Sequence, residues 1–147
     1  MSKKDLKKFV TRLIELMPQM VRGFARQEHN YLTSGRITIP QFWALEYLSR
    51  QGLMSMSHLA VFLGVSKPAA TGLVDRLISQ GLVLRKNDPK DRRVVWIKVT
   101  PRGQAIIKSI FIQKRLTLTK VYGQISDRDR REHLRILEQI LKVLNTS

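Results

Sequence analysis

The chain has 147 residues, which fits one domain with a substantial core, and its 43% hydrophobic content excludes general disorder. Its 27 lysines and arginines stand against 11 acidic residues, and the net charge of +16 calls for a polyanionic partner, first nucleic acid and second an anionic membrane surface. The absence of cysteine excludes disulfides and thiolate-ligated zinc, and without a secretory signal or a bilayer-spanning apolar run we expect a cytoplasmic protein.

Helical periodicity dominates the N-terminal quarter. Apolar residues recur at three- and four-residue steps from Leu6 to about Tyr31, which predicts a long helix that Pro18 should kink or split in two. Residues 33–35, Thr-Ser-Gly, then predict a break. The segment Thr38–Gln41 has the spacing of a capping box, so we expect a second helix that ends near Ser49.

The central segment, residues 54–103, begins with the pattern of a helix, a tight turn and another helix. Residues 57–63 form an amphipathic run that Gly64 breaks, and Ser66 stands where an N-cap belongs, with a proline in the first turn. The helix that follows is apolar on one side and should end near Gly81.

A basic hairpin follows this pair of helices. Two β-rich runs, 82–85 and 94–99, are joined by a loop with strong turn chemistry. Residues 82–103 contain seven basic and two acidic side chains, so positive charge concentrates there. A helix-turn-helix followed by a charged hairpin is typical of a device that holds DNA.

Two further helices complete the chain. Thr100 and Pro101 open a long helix that Gly123 breaks, and residues 126–129 cap a last helix whose leucines step by three, four and three, as in a coiled-coil seam. The apolar faces at both ends exceed what the centre can cover, which favours a homodimer over an intrachain hairpin of the terminal helices. The candidate dimer contacts are Leu6, Phe9, Leu13, Leu134, Leu137, Leu141 and Leu144.

These motifs resemble one known family. Residues 63–77, followed by 81–83 and 91–103, are similar to the MarR family of winged-helix multiple-antibiotic-resistance regulators, and residues 37–42 resemble the start of that family's second helix. The similarity covers nearly the whole chain in helix order. Family members are dimeric and mostly repressors, and they commonly lose DNA affinity when a small, often phenolic, ligand binds between the dimer helices and the DNA-binding lobe.

The resemblance also implies an architecture. The fold should be mainly α with a small β-wing, and residues 1–147 should form a single MarR-type domain. Within it, residues 38–100 would be a winged helix-turn-helix DNA-binding lobe. Residues 1–35 and 101–147 would form a helical dimerisation lobe.

The exposed side of the second central helix is the candidate for the major groove. Small residues there allow close approach, and hydroxyl or methyl groups can touch base edges. Ser66 with the first-turn N–H groups could hold a phosphate, although it could be merely a cap and Thr71 merely solvated. Gly72 replaces the larger polar or basic residue of many relatives, so base readout should be weaker. The candidate contacts are Ser66, Lys67, Pro68, Ala69, Thr71, Gly72 and Arg76.

The hairpin tip carries the second set of candidates. Asp91-Arg92-Arg93 matches the Asp-x-Arg signature of the family, and by this resemblance Arg93 enters the minor groove, where narrow A·T-rich DNA has an enhanced negative potential. We expect Lys90 and Arg92 to meet phosphates and Asp91 to brace the wing. The alternative is a solvated charged tip.

Four aromatic residues, Phe24, Tyr31, Trp43 and Tyr47, could line a ligand cleft, or they could be plain core. The histidines are isolated, and no nucleophile–base pair, phosphate-binding glycine loop or carboxylate pair is present, so we expect no catalysis, metal or cofactor.

The sequence therefore favours a DNA-binding transcriptional regulator, acting as a homodimeric repressor on an inverted-repeat operator in double-stranded DNA and relieved by a small aromatic or anionic effector. The first alternative is an architectural or weakly specific DNA-binding protein without ligand control, which the charge and Gly72 suggest. A peripheral membrane-associated protein is a third possibility, which the polar loops and the helix-turn-helix argue against.

Overall fold

The computed structural model describes residues 2–146. They form six helices and three short strands: α1 (Lys3–Gln27), α2 (Ile39–Gln51), β1 (Met54–Ser55), α3 (Met56–Leu63), α4 (Lys67–Ser79), β2 (Val83–Asn87), β3 (Val95–Val99), α5 (Pro101–Tyr122) and α6 (Asp127–Thr146). This confirms the expected mainly helical fold with a small β-wing. No helix in the described range is long and apolar enough to cross a bilayer.

The long N-terminal helix differs from its prediction in two respects. A split at Pro18 is wrong, because α1 runs unbroken through this residue, where the surrounding turn is exposed and water can satisfy the carbonyl group that proline leaves unpaired. The helix also ends at Gln27 rather than near Tyr31. The side chain of Asn30 accepts hydrogen bonds from the amides two and three residues later, and this local turn replaces helix.

The helix-turn-helix forms as its caps predict. Thr38 and Gln41 make both hydrogen bonds of a capping box at the start of α2. Gly64 ends α3 with φ of 66°, a left-handed conformation that favours glycine, and this turn leads directly to Ser66, the N-cap of α4.

The sheet has one strand more than the sequence indicated. β1 pairs antiparallel with β3, opposing Met54 to Ile97, and β3 pairs in turn with β2. Both of these opposed residues are buried, so the two-residue strand is held by packing. It is too short to show the alternation that predicts a strand.

The structure divides into two compact units, Met1–Gln113 and Lys114–Ser147. The core of the first is built from α2, α3, α4 and the sheet, together with Ile107 and Ile110 of α5. The boundary therefore falls inside α5, whose first half belongs to the winged-helix core. In the second unit, Tyr122 and His133 form a hydrogen bond of 3.0 Å between the end of α5 and α6.

Candidate nucleic-acid interface

Helix α4 has one buried and one exposed side. Ala70, Val74 and Leu77 are completely buried against the core. The Ser66 hydroxyl accepts the N–H of Ala69 at 3.2 Å, which caps the helix. The side opposite the core is left to meet a partner.

The structure places most of the predicted α4 contacts on this free side. Thr71 is half-buried, and its hydroxyl donates to the carbonyl oxygen of Lys67 at 2.9 Å. Gly72 borders open space, because a Cβ added there would have no atom within 4 Å. The remaining candidates are exposed: Ser66, Lys67, Pro68, Ala69 and Arg76.

The wing, defined here as β2, β3 and their connecting loop, is organised by Asp88. One oxygen of its carboxylate accepts the indole N–H of Trp96 at 2.8 Å, and the other accepts the N–H groups of Lys90 and Asp91 at 2.8 and 3.1 Å. The bond from Trp96, followed by those two amides, lowers the pKa of the Asp88 carboxyl group. This side chain therefore ties the loop to the strand.

Sequence reasoning did not single out Asp88. The signal was present, because an aspartate at the start of an Asp-Pro turn commonly accepts amide N–H groups of the next residues. The register of the hairpin, which opposes Asn87 to Val95, places Trp96 one residue beyond that pair and within reach.

At the tip, Asp91 contacts the residue that follows the next one. Its carboxylate accepts the backbone N–H of Arg93 at 3.0 Å, while Arg93 Nε lies 3.9 Å from the same oxygen. The Arg93 side chain is 95% exposed, and Lys90 and Arg92 are exposed as well. The loop backbone is thus fixed while three cationic side chains extend into solvent.

An ion pair joins the wing to α4. Arg85 on β2 donates to Asp75 on α4, with the two atoms 3.2 Å apart. Both side chains are about half exposed, so the pair contributes little to stability. It does connect the two elements that carry the candidate contacts.

A cleft of about 730 Å³ lies elsewhere in the first unit, between the end of α1, the following turn and α5. Among the four aromatic candidates, Tyr31 lines it and Phe24, Trp43 and Tyr47 do not. The expectation that all four share one cleft is not what the structure places together. The lining residues are Ala25, Arg26, Glu28, His29, Asn30, Tyr31, Thr33, Ser34, Arg36, Ala105, Ile106, Ser109 and Ile110.

Two arginines act on Tyr31. Arg102 donates to its phenolic oxygen at 3.1 Å and Arg36 lies over its ring at 4.9 Å, and the arginines lower the pKa of the Tyr31 hydroxyl. The carbonyl oxygen of Arg36 also accepts a hydrogen bond of 2.9 Å from Gln80, the C-cap of α4. One cleft residue is therefore bonded directly to the end of the recognition helix.

The other aromatic candidates pack differently. Helix α2 directs Tyr47 against α3, where its ring stacks on Phe62 with centroids 3.6 Å apart. The hydroxyl of Tyr47 lies 3.4 Å from the His58 ring. Trp43 is 56% exposed, and Phe24 is half-buried near the end of α1.

Comparison with known proteins supports this architecture. The MarR family model matches residues 37–95. The uncharacterized HTH-type transcriptional regulator YsmB of Bacillus subtilis is 33% identical over 108 residues, which cover 74% of this chain and 71% of YsmB.

Two further proteins are similar. The multiple antibiotic resistance protein MarR of Salmonella typhimurium is 37% identical over 78 residues, covering 53% of this chain and 54% of that protein. The crystal structure of RV1404 from Mycobacterium tuberculosis has a TM-score of 0.76 at 26% identity, covering 99% of this chain and 96% of that one. The chain with its helix-turn-helix and wing therefore belongs to the MarR family and is a DNA-binding transcription regulator.

Proposed function

We propose that this protein is a homodimeric repressor that binds an inverted-repeat operator through α4 and the wing, and that a small aromatic or anionic ligand relieves the repression. The observation that carries the proposal is the joint presence of a small-residue exposed face on α4 and a free, braced Arg93 on the wing. The first suits close approach to a major groove and the second suits a narrow minor groove.

In this proposal the candidate contacts divide into two groups. Thr71 and the exposed small residues of α4 approach base edges, whereas Lys67 and Arg76 contact phosphates beside the groove. On the wing, Arg93 enters the minor groove and Lys90 and Arg92 neutralise phosphates. Asp91 supports this arrangement through the Arg93 amide rather than by contact with DNA.

The homodimer is supported by apolar side chains that the single chain leaves open. Phe9 on α1 is 57% exposed and Leu141 on α6 is 58% exposed. Contiguous exposed apolar faces of this kind mark association surfaces. A two-fold dimer would place two copies of α4 on successive major grooves, about one helical turn apart. The residues proposed for this interface are Leu6, Phe9, Leu13, Leu134, Leu137, Leu141 and Leu144.

The same division defines the proposed lobes. Residues 38–100 would act as the DNA-binding lobe, and residues 1–35 and 101–147 as the dimerisation lobe. The protein would work in the cytoplasm, where its DNA is accessible.

Ligand control is supported by the chemistry of the cleft. Arg26 and Arg36 provide positive charge beside apolar Ile106 and Ile110, a combination that suits an aromatic anion. The bond from Gln80 to Arg36 offers a route by which an occupied cleft alters the position of α4. Titration of salicylate-like anions against a preformed complex tests this part, and the expected result is release of DNA. A panel that changes neither affinity nor melting temperature would leave a regulator governed by its own abundance.

A weakly specific architectural role is the second candidate, favoured by the charge of +16 and by the missing side chain at Gly72. Selection of bound fragments from genomic DNA in excess random DNA separates the two functions. A repressor should retain a small set of fragments that share an inverted repeat, whereas an architectural protein should retain fragments without a shared sequence.

A further inference from the structure

Most of the net charge of this protein lies outside its helix-turn-helix and wing. Residues 37–100 contain nine basic and four acidic side chains, a net charge of +5 out of +16. The remaining +11 lies on the segments that the proposed operator contacts do not use. This excess requires its own explanation.

On α6 the cations are largely paired. Arg130 and Arg131 both pair with Asp127, and Arg135 pairs with Glu132. These arginines are therefore neutralised within their own helix.

On α1 the arrangement is the opposite. The side chains of Lys4, Lys7, Lys8 and Arg22 have no hydrogen bond or ion pair with any described residue, and Arg12 alone pairs, with Glu15 at 2.9 Å. All of these cations are exposed.

The unpaired cations share one side of the helix. Steps of three, four and multiples of them align a set that we call the basic face of α1, opposite the apolar side that carries Phe9 and Leu13. From its first to its last member this face is about 33 Å long at the rise of an α-helix, close to one helical turn of duplex DNA. Its members are Lys4, Lys7, Lys8, Arg12, Arg22 and Arg26.

The basic face is unfavourable for the isolated helix. Lys4, Lys7 and Lys8 are like charges three and four residues apart, which repel each other. They also lie near the N-terminus, where the helix dipole disfavours cations. Asp5 is the acidic residue of the first turn, and its carboxylate is engaged by Ser2. A bound polyanion would relieve both costs.

We propose that the basic face of α1 is a second DNA-binding surface, which holds the phosphate backbone of a duplex independently of α4 and the wing. The lysines that dominate its first half are point charges suited to phosphate contacts without base readout. DNA is favoured over an anionic membrane because a basic amphipathic helix binds a membrane by inserting its apolar side, and the proposed homodimer covers that side of α1.

The test neutralises the basic face and compares the salt dependence of DNA binding. The variant K4Q/K7Q/K8Q/R22Q and the matched control K108Q/K120Q/R128Q/K142Q both lower the net charge by four, and glutamine preserves helix propensity. With a random-sequence duplex as the probe, the slope of log affinity against log salt should fall by roughly two to four in the variant, at about 0.9 per phosphate released, and stay unchanged in the control. Equal slopes in the variant and the parent, or equal losses in the variant and the control, would overturn the proposal.

Two further measurements keep the test decisive. K4R/K7R/K8R retains the charge and should retain the parental slope, which excludes an effect of the substitutions on folding. Vesicles that contain phosphatidylglycerol address the membrane alternative. If the parent binds them and K4Q/K7Q/K8Q/R22Q does not, while the DNA slopes of the two proteins are equal, the face serves a membrane and the proposal is wrong.

Discussion

The Asp88 carboxylate accepts the indole N–H of Trp96 at 2.8 Å, and its other oxygen accepts two loop amides. This one side chain therefore joins β3 to the loop that carries Arg93. The exposed cations of the wing are positioned by an acidic residue that has no direct part in binding DNA. The geometry of the wing should depend on the charge of this residue.

The first prediction concerns pH. The pKa of Asp88 in the folded wing lies below its ordinary value of 3.8, chiefly because of the Trp96 bond. The ionised carboxylate therefore stabilises the wing fully above this ordinary value, and the contribution is lost as the pH falls through the lowered pKa. In a Trp43→Phe background, Trp96 fluorescence should change in that acidic window. The change should be absent in Asp88→Asn, and matching titrations of the two proteins would contradict the assignment.

The second prediction compares two glycines. A Cβ at Gly72 would meet no atom, so Gly72→Ala should raise the free energy of unfolding by about 0.5–1 kcal/mol through helix propensity. A Cβ at Gly103 would overlap the carbonyl oxygen of Leu82 and lie 2.6 Å from Val99 Cγ1, so Gly103→Ala should lower that free energy by about 1–3 kcal/mol. Equilibrium urea unfolding measures both values. A destabilised Gly72→Ala would mean that this position is packed.

The third prediction concerns base readout. Thr71→Ala should relax base preference at the centre of each half-site by about 1 kcal/mol or more, with little change in the salt slope. Thr71→Ser is the matched variant, since it keeps the hydroxyl that donates to Lys67 and loses the methyl group. Competition among operators with single base substitutions measures the preference. Unchanged discrimination in both variants would remove Thr71 from the interface.

Local chemistry made much of the winged helix predictable. Caps such as Ser66 and the glycine at position 64 are read directly from residue type, and they form as expected. The end of α1 was misplaced because the turn at Asn30 depends on side-chain bonds that hydrophobic periodicity does not register.

The contacts that cross between elements were not predictable in this way. The bond between Asp88 and Trp96 and the bond from Gln80 to Arg36 join groups 8 and 44 residues apart, so they depend on the folded register. The aromatic candidates illustrate the same limit. Helical spacing brought Trp43 and Tyr47 to notice, but the direction of α2 sends Tyr47 to Phe62 rather than to the cleft.

The fourth prediction concerns the dimer. Light scattering should give twice the chain mass of 17.0 kDa. Leu137 and Leu141 are 47% and 58% exposed in the single chain, so replacing both with Asp is harmless unless a second copy covers them. In a dimer it would bury unpaired carboxylates at a cost of several kcal/mol and yield aggregated or unfolded protein. Gln139→Asp on the opposite side of α6 is the control. A monomeric parent, or a well-behaved double variant, would exclude this interface.

The central claim is that α4 and the wing together hold DNA, and Arg93→Ala tests it most directly. Fluorescence anisotropy with an operator selected from genomic DNA should show weaker binding, most of all where A·T pairs flank the half-sites, and a salt slope lower by about one. Lys90→Ala should weaken all sequences about equally, and Arg128→Ala on α6 should bind like the parent. If Arg93→Ala binds operator and random DNA as tightly as the parent does, the wing does not hold DNA and the mechanism is wrong.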